Sequence, residues 1–310
     1  MNNDRDYMSV ERIKEIISSV KSLEYYSIQL LQIKNNKTTN YYANEIEINS
    51  KDFESYFKET CELMLDMDAF KNTDKIEEYN GEFSCGNIYE LSVGHDLVNE
   101  NYKRFLNAIS DSNTERKNNT KWNAFVVNME LNDEENRVIR FISLKSPIST
   151  MRNKYIFDDG SYKLIKTPVL NLYNFFDVIM FNDKIYMFSP NSEKLFNMEK
   201  SYRIKCNKTI TEIENKRIVS NIELFRNTAL KGYNPRRFIT FDRNRLNVLF
   251  DDKNRKKYLK KFNISITEDG LIDTNVEDNI DRLIKFLCNK ALIDPLDNKP
   301  REVVGVKKWV

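Results

Sequence analysis

The chain has 310 residues, 40% of them apolar and 31% charged, with a net charge of +2. That is enough to build one large core or two modest ones, and no apolar run approaches the ~18 residues of a spanning helix. The polar start "MNNDRDYMSVERIKEI" is not a secretory signal, and four cysteines (Cys61, Cys85, Cys206, Cys288) without a CxxC pair fit a reduced cytosolic chain rather than a disulfide framework or zinc ribbon.

Apolar residues at Val10, Ile13, Ile16, Ile17 and Val20 share one helical face. "LEYYSIQLLQIK" (23–34) reads as a strand and "YYANEIEI" (41–48) as its hairpin partner. Ser50 can cap a helix running to about Met67, with Phe53, Phe57, Cys61, Met64 and Leu65 at three- and four-residue spacing. "IEEY" and "IYELSV" read as short strands, and Leu97 to Ile109 as a helix. "SDSNTERKNNTK" (110–121) has no hydrophobic period and reads as a linker or long loop. Beyond it "WNAFVVNMEL", "RVIRFISL", "KYIF", "YKLIKT", "FFDVIMF" and "KIYMFS" follow one another as strands, and Asn182-Asp183 predicts a tight hairpin between the last two. From Pro190 the period becomes helical. Further helices are expected over 220–230, 235–249, 252–261 and 275–288, a hairpin around Asp269-Gly270, and a closing strand in "REVVGVKKWV". The predicted class is α+β: an acidic N-terminal α+β region (1–112), then a C-terminal domain (119–310) that is β-rich over 122–189, with an antiparallel sheet, and mainly helical over 190–310.

Much chemistry is excluded. A single histidine, His95 in "VGHDL", cannot supply multi-histidine metal sites and reads as a capping or surface group. There is no G-x-x-x-x-G-K-[ST] loop and no G-x-S-x-G elbow. Asp66 and Asp68 in "LMLDMDAF" resemble a magnesium-holding Asp-x-Asp pair, but positions i and i+2 diverge on a helix, so the end of an acidic helix is the better reading. Glu214-x-Lys216 only loosely matches a nuclease pattern and falls in a predicted helix rather than a strand. No cofactor or metal is expected, and the chain reads as non-catalytic.

Charge is distributed unevenly. Residues 1–100 hold 10 Lys+Arg against 20 Asp+Glu, a net of −10, whereas residues 226–262 hold 12 Lys+Arg against three acids. Such separation suggests two surfaces with different partners. On a wheel stepping ~100° per residue, Lys253, Lys256, Lys257, Lys260 and Lys261 share an arc of about 140°. Tyr258, Leu259 and Phe262 take the other side, and Asp251 and Asp252 sit at the start, where they suit the helix dipole. A face of one sign repels itself, so a solvated face would normally mix in acids. Upstream, Arg236, Arg237, Arg243 and Arg245 can offer forked donors to phosphate, and a helix starting at Asn234-Pro235 would add its amides. These nine cations are the candidate duplex-DNA surface, contacting the backbone with little sequence readout; an anionic lipid or acidic protein and a merely solvated face are the competing readings. Phe238 and Phe241 are expected to be core rather than base-stacking residues.

"NFFDVIMFNDKIYMFSPNSEKLFNM" (174–198) and "ISITEDGLIDTNVEDNIDRLIKFLCNKALIDPLDNKPREVVGVKKWV" (264–310) resemble the strand–turn–strand–helix and the closing hairpin–helix–strand of a known family. It is that of KwaB, the soluble subunit of the two-gene Kiwa anti-phage defence system, and the resemblance covers roughly residues 120–310. It implies an antiviral effector that binds DNA, self-associates, and is recruited from the cytoplasm to the inner membrane by a small transmembrane partner, KwaA. It carries over no catalytic residue. The alternatives are a metal-dependent nuclease with a degenerate site, or a protein or lipid interaction module built on the basic face.

Overall fold

The computed structural model describes residues 10–19, 26–36, 38–71, 76–83, 86–111, 121–130, 137–149, 155–164 and 169–302. The chain is α+β and forms two compact units, residues 1–79 with 83–197, and residues 80–82 with 198–310.

The first unit is built on an eight-stranded sheet. Its strands are β1 (Tyr26–Asn35), β2 (Thr39–Ile46), β3 (Glu77–Glu78), β4 (Tyr89–Ser92), β5 (Ala124–Glu130), β6 (Val138–Ser143), β11 (Val178–Phe181) and β12 (Lys184–Met187), in the order β2-β1-β5-β6-β11-β12-β4-β3. All neighbours are antiparallel except β3 and β4. Asn182 and Asp183 both have positive φ, 47° and 57°, as the expected two-residue turn between β11 and β12 demands. The pair β7 (Ile148–Ser149) and β10 (Val169–Leu170) and the pair β8 (Tyr155–Asp158) and β9 (Ser161–Leu164) form separate ribbons, so "KYIF" and "YKLIKT" do not join the main sheet.

One face of that sheet packs on α1 (Val10–Ser19) and α2 (Ser50–Leu65). Val10, Ile13, Ile16 and Ile17 from α1 and Phe53, Phe57, Cys61 and Met64 from α2 close over Ile28, Phe125, Val127, Phe141 and Ile179. The cap of α2 is Asn49, whose side chain accepts from the Lys51 and Asp52 amides; Ser50 is the first helical residue rather than the cap. The short α3 (Asp68–Lys71) contributes Phe70 to this core. The opposite face carries α4 (Asn99–Ser110) and α5 (Ser192–Leu195): Phe105 meets Tyr41 edge-on, Gln29 Nε2 donates to the Ile109 carbonyl, and the Tyr41 hydroxyl donates to that of Leu195.

The compact units therefore part elsewhere than at the expected boundary. β1 pairs with β5 across the whole 110–121 segment, so strands from both sides of it share one sheet, and residues 112–120 themselves lie outside the described residues. The units divide at Asn197, where a φ of +50° separates α5 from α6 (Met198–Lys216) and breaks what the periodicity predicts as one helix.

The second unit is mainly helical: α6, α7 (Ile222–Ala229), α8 (Asn234–Arg237) with a 3₁₀ turn (Phe238–Thr240), α9 (Arg243–Phe250), α10 (Asp252–Lys261) and α11 (Glu277–Leu287), with a short hairpin of β13 (Ala291–Ile293) and β14 (Pro300–Glu302). Cys206, Ile210, Phe225, Phe238, Leu246, Leu259, Ile280 and Leu287 form its core. The helix expected over 235–249 is two pieces, because Asp242 leaves helical geometry to cap α9 through the Asn244 amide, while its own N–H donates to Leu287. The Asp269-Gly270 turn forms, with Gly270 at φ +78°, but it is flanked only by the single bridge Ile266–Ile272. Of the expected closing strand only Arg301 and Glu302 fall within the described residues, at the end of β14.

Candidate nucleic-acid interface

The predicted basic helix is α10, with the predicted bounds. Asp251 caps it, accepting from the Lys253 amide at 2.9 Å and the Asn254 amide at 3.4 Å. Its other end closes as a Schellman motif. Asn263 sits at φ +54°, its N–H donates to Lys260, and the Ile264 N–H reaches back to Leu259 at 2.9 Å. Lys260 and Lys261 fall in the last turn, where cations suit the dipole.

Leu259 and Phe262 are buried, as the wheel requires. Tyr258 is not: it is 37% exposed, and the buried position beside Leu259 belongs instead to Arg255. The Arg255 guanidinium donates to the Leu249 carbonyl and pairs with Asp252. It therefore fastens α10 to the end of α9 instead of joining the cationic face. The signal for this lies in the sequence, since Arg255 falls on the Leu259/Phe262 side of the wheel.

All five lysines of the arc are exposed, and none has an ion-pair partner among the described residues. The four arginines are placed differently. Arg237, 20% exposed, pairs with Asp281 at 2.7 Å. Arg245 donates to the carbonyls of Phe286 and Ala291, lies over the Phe286 ring, and has its pKa lowered by burial. Arg236 lies over the rings of Tyr202 and Tyr233. Arg243 is 72% exposed but meets Glu212 at 2.9 Å. The helix expected to begin at Asn234-Pro235 is the single turn α8, and the Asn234 amide group is spent on the Thr228 carbonyl. The structure thus gathers the lysines on one helical face and ties Arg237 and Arg245 into the frame of the unit, while Arg243 stays exposed in a surface ion pair. Arg282, which the sequence does not single out, donates to the Asn263 carbonyl and so places one more exposed cation at the C-terminal end of α10.

The groups weighed for acid–base or metal chemistry lie at helix ends and within α6. His95 Nδ1 accepts from the Leu97 amide just before α4. Asp66 ends α2 and meets Lys71 at 3.3 Å, while Asp68 opens α3. Glu214 lies in α6 and pairs with Arg226. Among the described residues no three His, Cys, Asp or Glu side chains converge on a metal position, and no helix is long and apolar enough to cross a membrane.

Compared with known proteins, residues 116–296 match the model of the family described as Kiwa protein KwaB-like. No curated protein and no solved structure matches the chain.

Proposed function

The chain belongs to the KwaB-like family of Kiwa anti-phage defence components, and from that premise we propose that it binds duplex DNA through the lysine face of α10. The observation that carries this reading is a row of five exposed lysines, unpaired among the described residues, on a helix whose acids lie only at its capped end. Lys253 and Lys260 are seven residues apart, roughly 10 Å along the axis, a span that reaches more than one phosphate of a duplex. Nothing on this face resembles a base-reading fork: Arg255 is buried, and the Asn254 amide group is held by Asp251. Binding is therefore to the backbone and largely independent of sequence. The protein acts in this reading without catalysis, alongside a second copy and a transmembrane KwaA-like subunit at the inner membrane.

The test is a fluorescence-anisotropy titration of duplex DNA at several salt concentrations. If four or five lysines neutralise phosphates, log K falls against log salt with a slope near about −4, at roughly −0.9 per contact. Reversal of Lys256, Lys257 and Lys260 to Glu weakens binding to every sequence alike and flattens the slope by about three units. Equal affinity and slope in the variant would overturn the proposal. Nicking of plasmid in the presence of magnesium or manganese would favour the nuclease reading, and binding to anionic vesicles but not to DNA the lipid one.

We assign the acidic N-terminal region to assembly. Its net of −10 repels phosphate and suits a basic loop on a membrane partner. Deleting residues 1–100 does not test this, because it removes β1 from beside β5 and both helices over one face of the sheet. Neutralising the exposed Glu54, Glu59 and Glu62 of α2 to Gln leaves the core intact. These changes weaken co-purification with the membrane partner while DNA affinity is unchanged; the opposite pattern would sink the assignment.

A further inference from the structure

The C-terminal end of α10 is met by a second helix. Arg282, on α11, is exposed, and its Nη1 donates to the Asn263 carbonyl at 2.8 Å, just past the last turn of α10. That is its one hydrogen bond among the described residues. Asp278 stands four residues earlier on the same helix, the spacing and order at which an acid and a base usually pair, yet the two form no ion pair. The guanidinium is instead carried across to α10. A tether through one nitrogen leaves the other donors of a five-donor fork unengaged. Lys261 is two residues from Asn263, so two chain steps of about 3.8 Å separate their backbones, and Lys260, Lys261 and Arg282 can meet one stretch of a bound strand.

At the Lys256 edge the sign reverses. The chain leaves α10 and turns at Thr267–Gly270, where the Gly270 N–H donates to the Thr267 carbonyl at 3.0 Å. Glu268 and Asp269 are the two central residues of that turn, both exposed and without an ion pair among the described residues. Gly270 lies against the lysine face itself, since a Cβ there would stand 3.9 Å from Lys256 Cε. Asp269 and Glu268 are one and two residues from this contact, inside the ~8 Å Debye length of physiological salt, so their charges act on Lys256. Asp251 and Asp252 add acid at the N-terminal end of α10. The positive field along the helix is therefore strongest toward Lys260, Lys261 and Arg282.

On the reading of α10 as a duplex surface, on which this depends, we propose that Arg282 is a sixth phosphate contact and that the Glu268–Asp269 turn is an acidic boundary, which together hold the DNA backbone to the C-terminal end of the helix. The Asn263 bond places the guanidinium before binding, so less rotamer freedom is lost per contact than at a free lysine. The turn works by repulsion: it disfavours any polyanion laid across Lys256 and so fixes which way the duplex lies.

The experiment is the anisotropy titration of duplex DNA across the salt series, on the full chain, with Arg282→Gln, Arg282→Lys and the double variant Glu268→Gln with Asp269→Asn. Arg282→Gln weakens binding by roughly fivefold and flattens the slope by about 0.9, the share of one phosphate. Arg282→Lys keeps the charge and therefore the slope; equal flattening in both variants would count against a charge contact. A residue that only holds the end of α10 through Asn263 would lower affinity without touching the slope, and that result, like wild-type affinity and slope in Arg282→Gln, overturns the contact while leaving the lysine reading intact. The turn variant binds roughly threefold more tightly at low salt, and the gain shrinks as salt screens the two charges. Unchanged low-salt affinity in that variant overturns the boundary. Absence of duplex binding by wild type removes the lysine reading, and this inference with it.

Discussion

Lys290 Nζ lies 3.1 Å from Glu82 Oε2, with the lysine side chain only 4% exposed. The ammonium has no other partner among the described residues, so Glu82 alone offsets its desolvation. Breaking a buried pair by removing one member leaves an uncompensated charge, which costs about 3 kcal/mol or more. Glu82→Gln is expected to lose about that much in urea unfolding followed by circular dichroism. Replacing both residues together, Glu82→Leu with Lys290→Met, recovers most of it, because an apolar pair of similar volume carries no stranded charge. A single and a double variant of equal stability would argue that the pair is not the source of the loss.

Gly81, next to Glu82, is held by contact and by backbone conformation at once. Its φ is +93°, and a Cβ there would stand 2.5 Å from Ile239 Cδ1 and 3.2 Å from the Arg236 carbonyl oxygen. Tyr233 donates its hydroxyl to the Gly81 carbonyl at 2.9 Å, which fixes the segment against withdrawal. Gly81→Ala is expected to cost about 2–3 kcal/mol, combining left-handed strain with the clash. Adding Ile239→Val deletes Cδ1 and returns only the steric part. Thermal unfolding of the wild type, the single variant and the double variant separates the two contributions.

How much of this was legible in the sequence follows from where the determining contacts lie. The periodicity of Val10, Ile13, Ile16 and Ile17 is local, and α1 forms where it predicts. The same holds for the Asn182-Asp183 turn and for α10 with its Asp251 cap. The pairing of β1 with β5 is long-range: nothing in "SIQLLQ" names "NAFVVN" as its neighbour, so a polar segment between them reads as a domain boundary. That the five lysines share one exposed arc was legible because helical spacing alone places them there. The fate of the arginines was not, since Asp281, Glu212 and the Phe286 carbonyl reach them from distant parts of the chain.

Asp281 predicts a pH dependence. Burial pushes its carboxyl up, but hydrogen bonds from Lys285 and Arg237 and their charges outweigh that and hold it below its usual 3.8. A carboxylate with a depressed native pKa contributes stability above the unfolded value and loses it as pH falls through the native one. Lys285 is disfavoured by burial but raised above 10.5 by Asp281 and Glu302, so its share persists below 10.5 and is lost as pH rises through the higher native value. The cluster therefore supports the fold between about pH 4 and pH 10. Asp281 is 39% exposed, so solvent screening limits its share to about 1 kcal/mol. Asp281→Asn is expected to flatten the acid limb of a stability–pH curve below about pH 4, leaving little change near pH 2. An unaltered acid limb would mean that other carboxylates carry it.

The division between lysines and arginines in the second unit gives the sharpest prediction. Lys256, Lys257 and Lys260 are exposed on one face, while Leu259, on the same helix, is fully buried in the core. Changes to the lysines should move DNA affinity and its salt slope without moving stability. Leu259→Ala should do the reverse, costing about 2–4 kcal/mol in unfolding while the folded fraction keeps the wild-type slope. Arg245 should behave like Leu259 rather than like the lysines. Its guanidinium donates to the Phe286 and Ala291 carbonyls, so Arg245→Met strands two acceptors and costs about 1–3 kcal/mol. Arg237→Met should do likewise by releasing Asp281. Anisotropy titrations and urea unfolding on the same five preparations place every variant in one class or the other. A flattened salt slope in Arg245→Met at unchanged stability would return that residue to the DNA surface and extend the interface beyond α10.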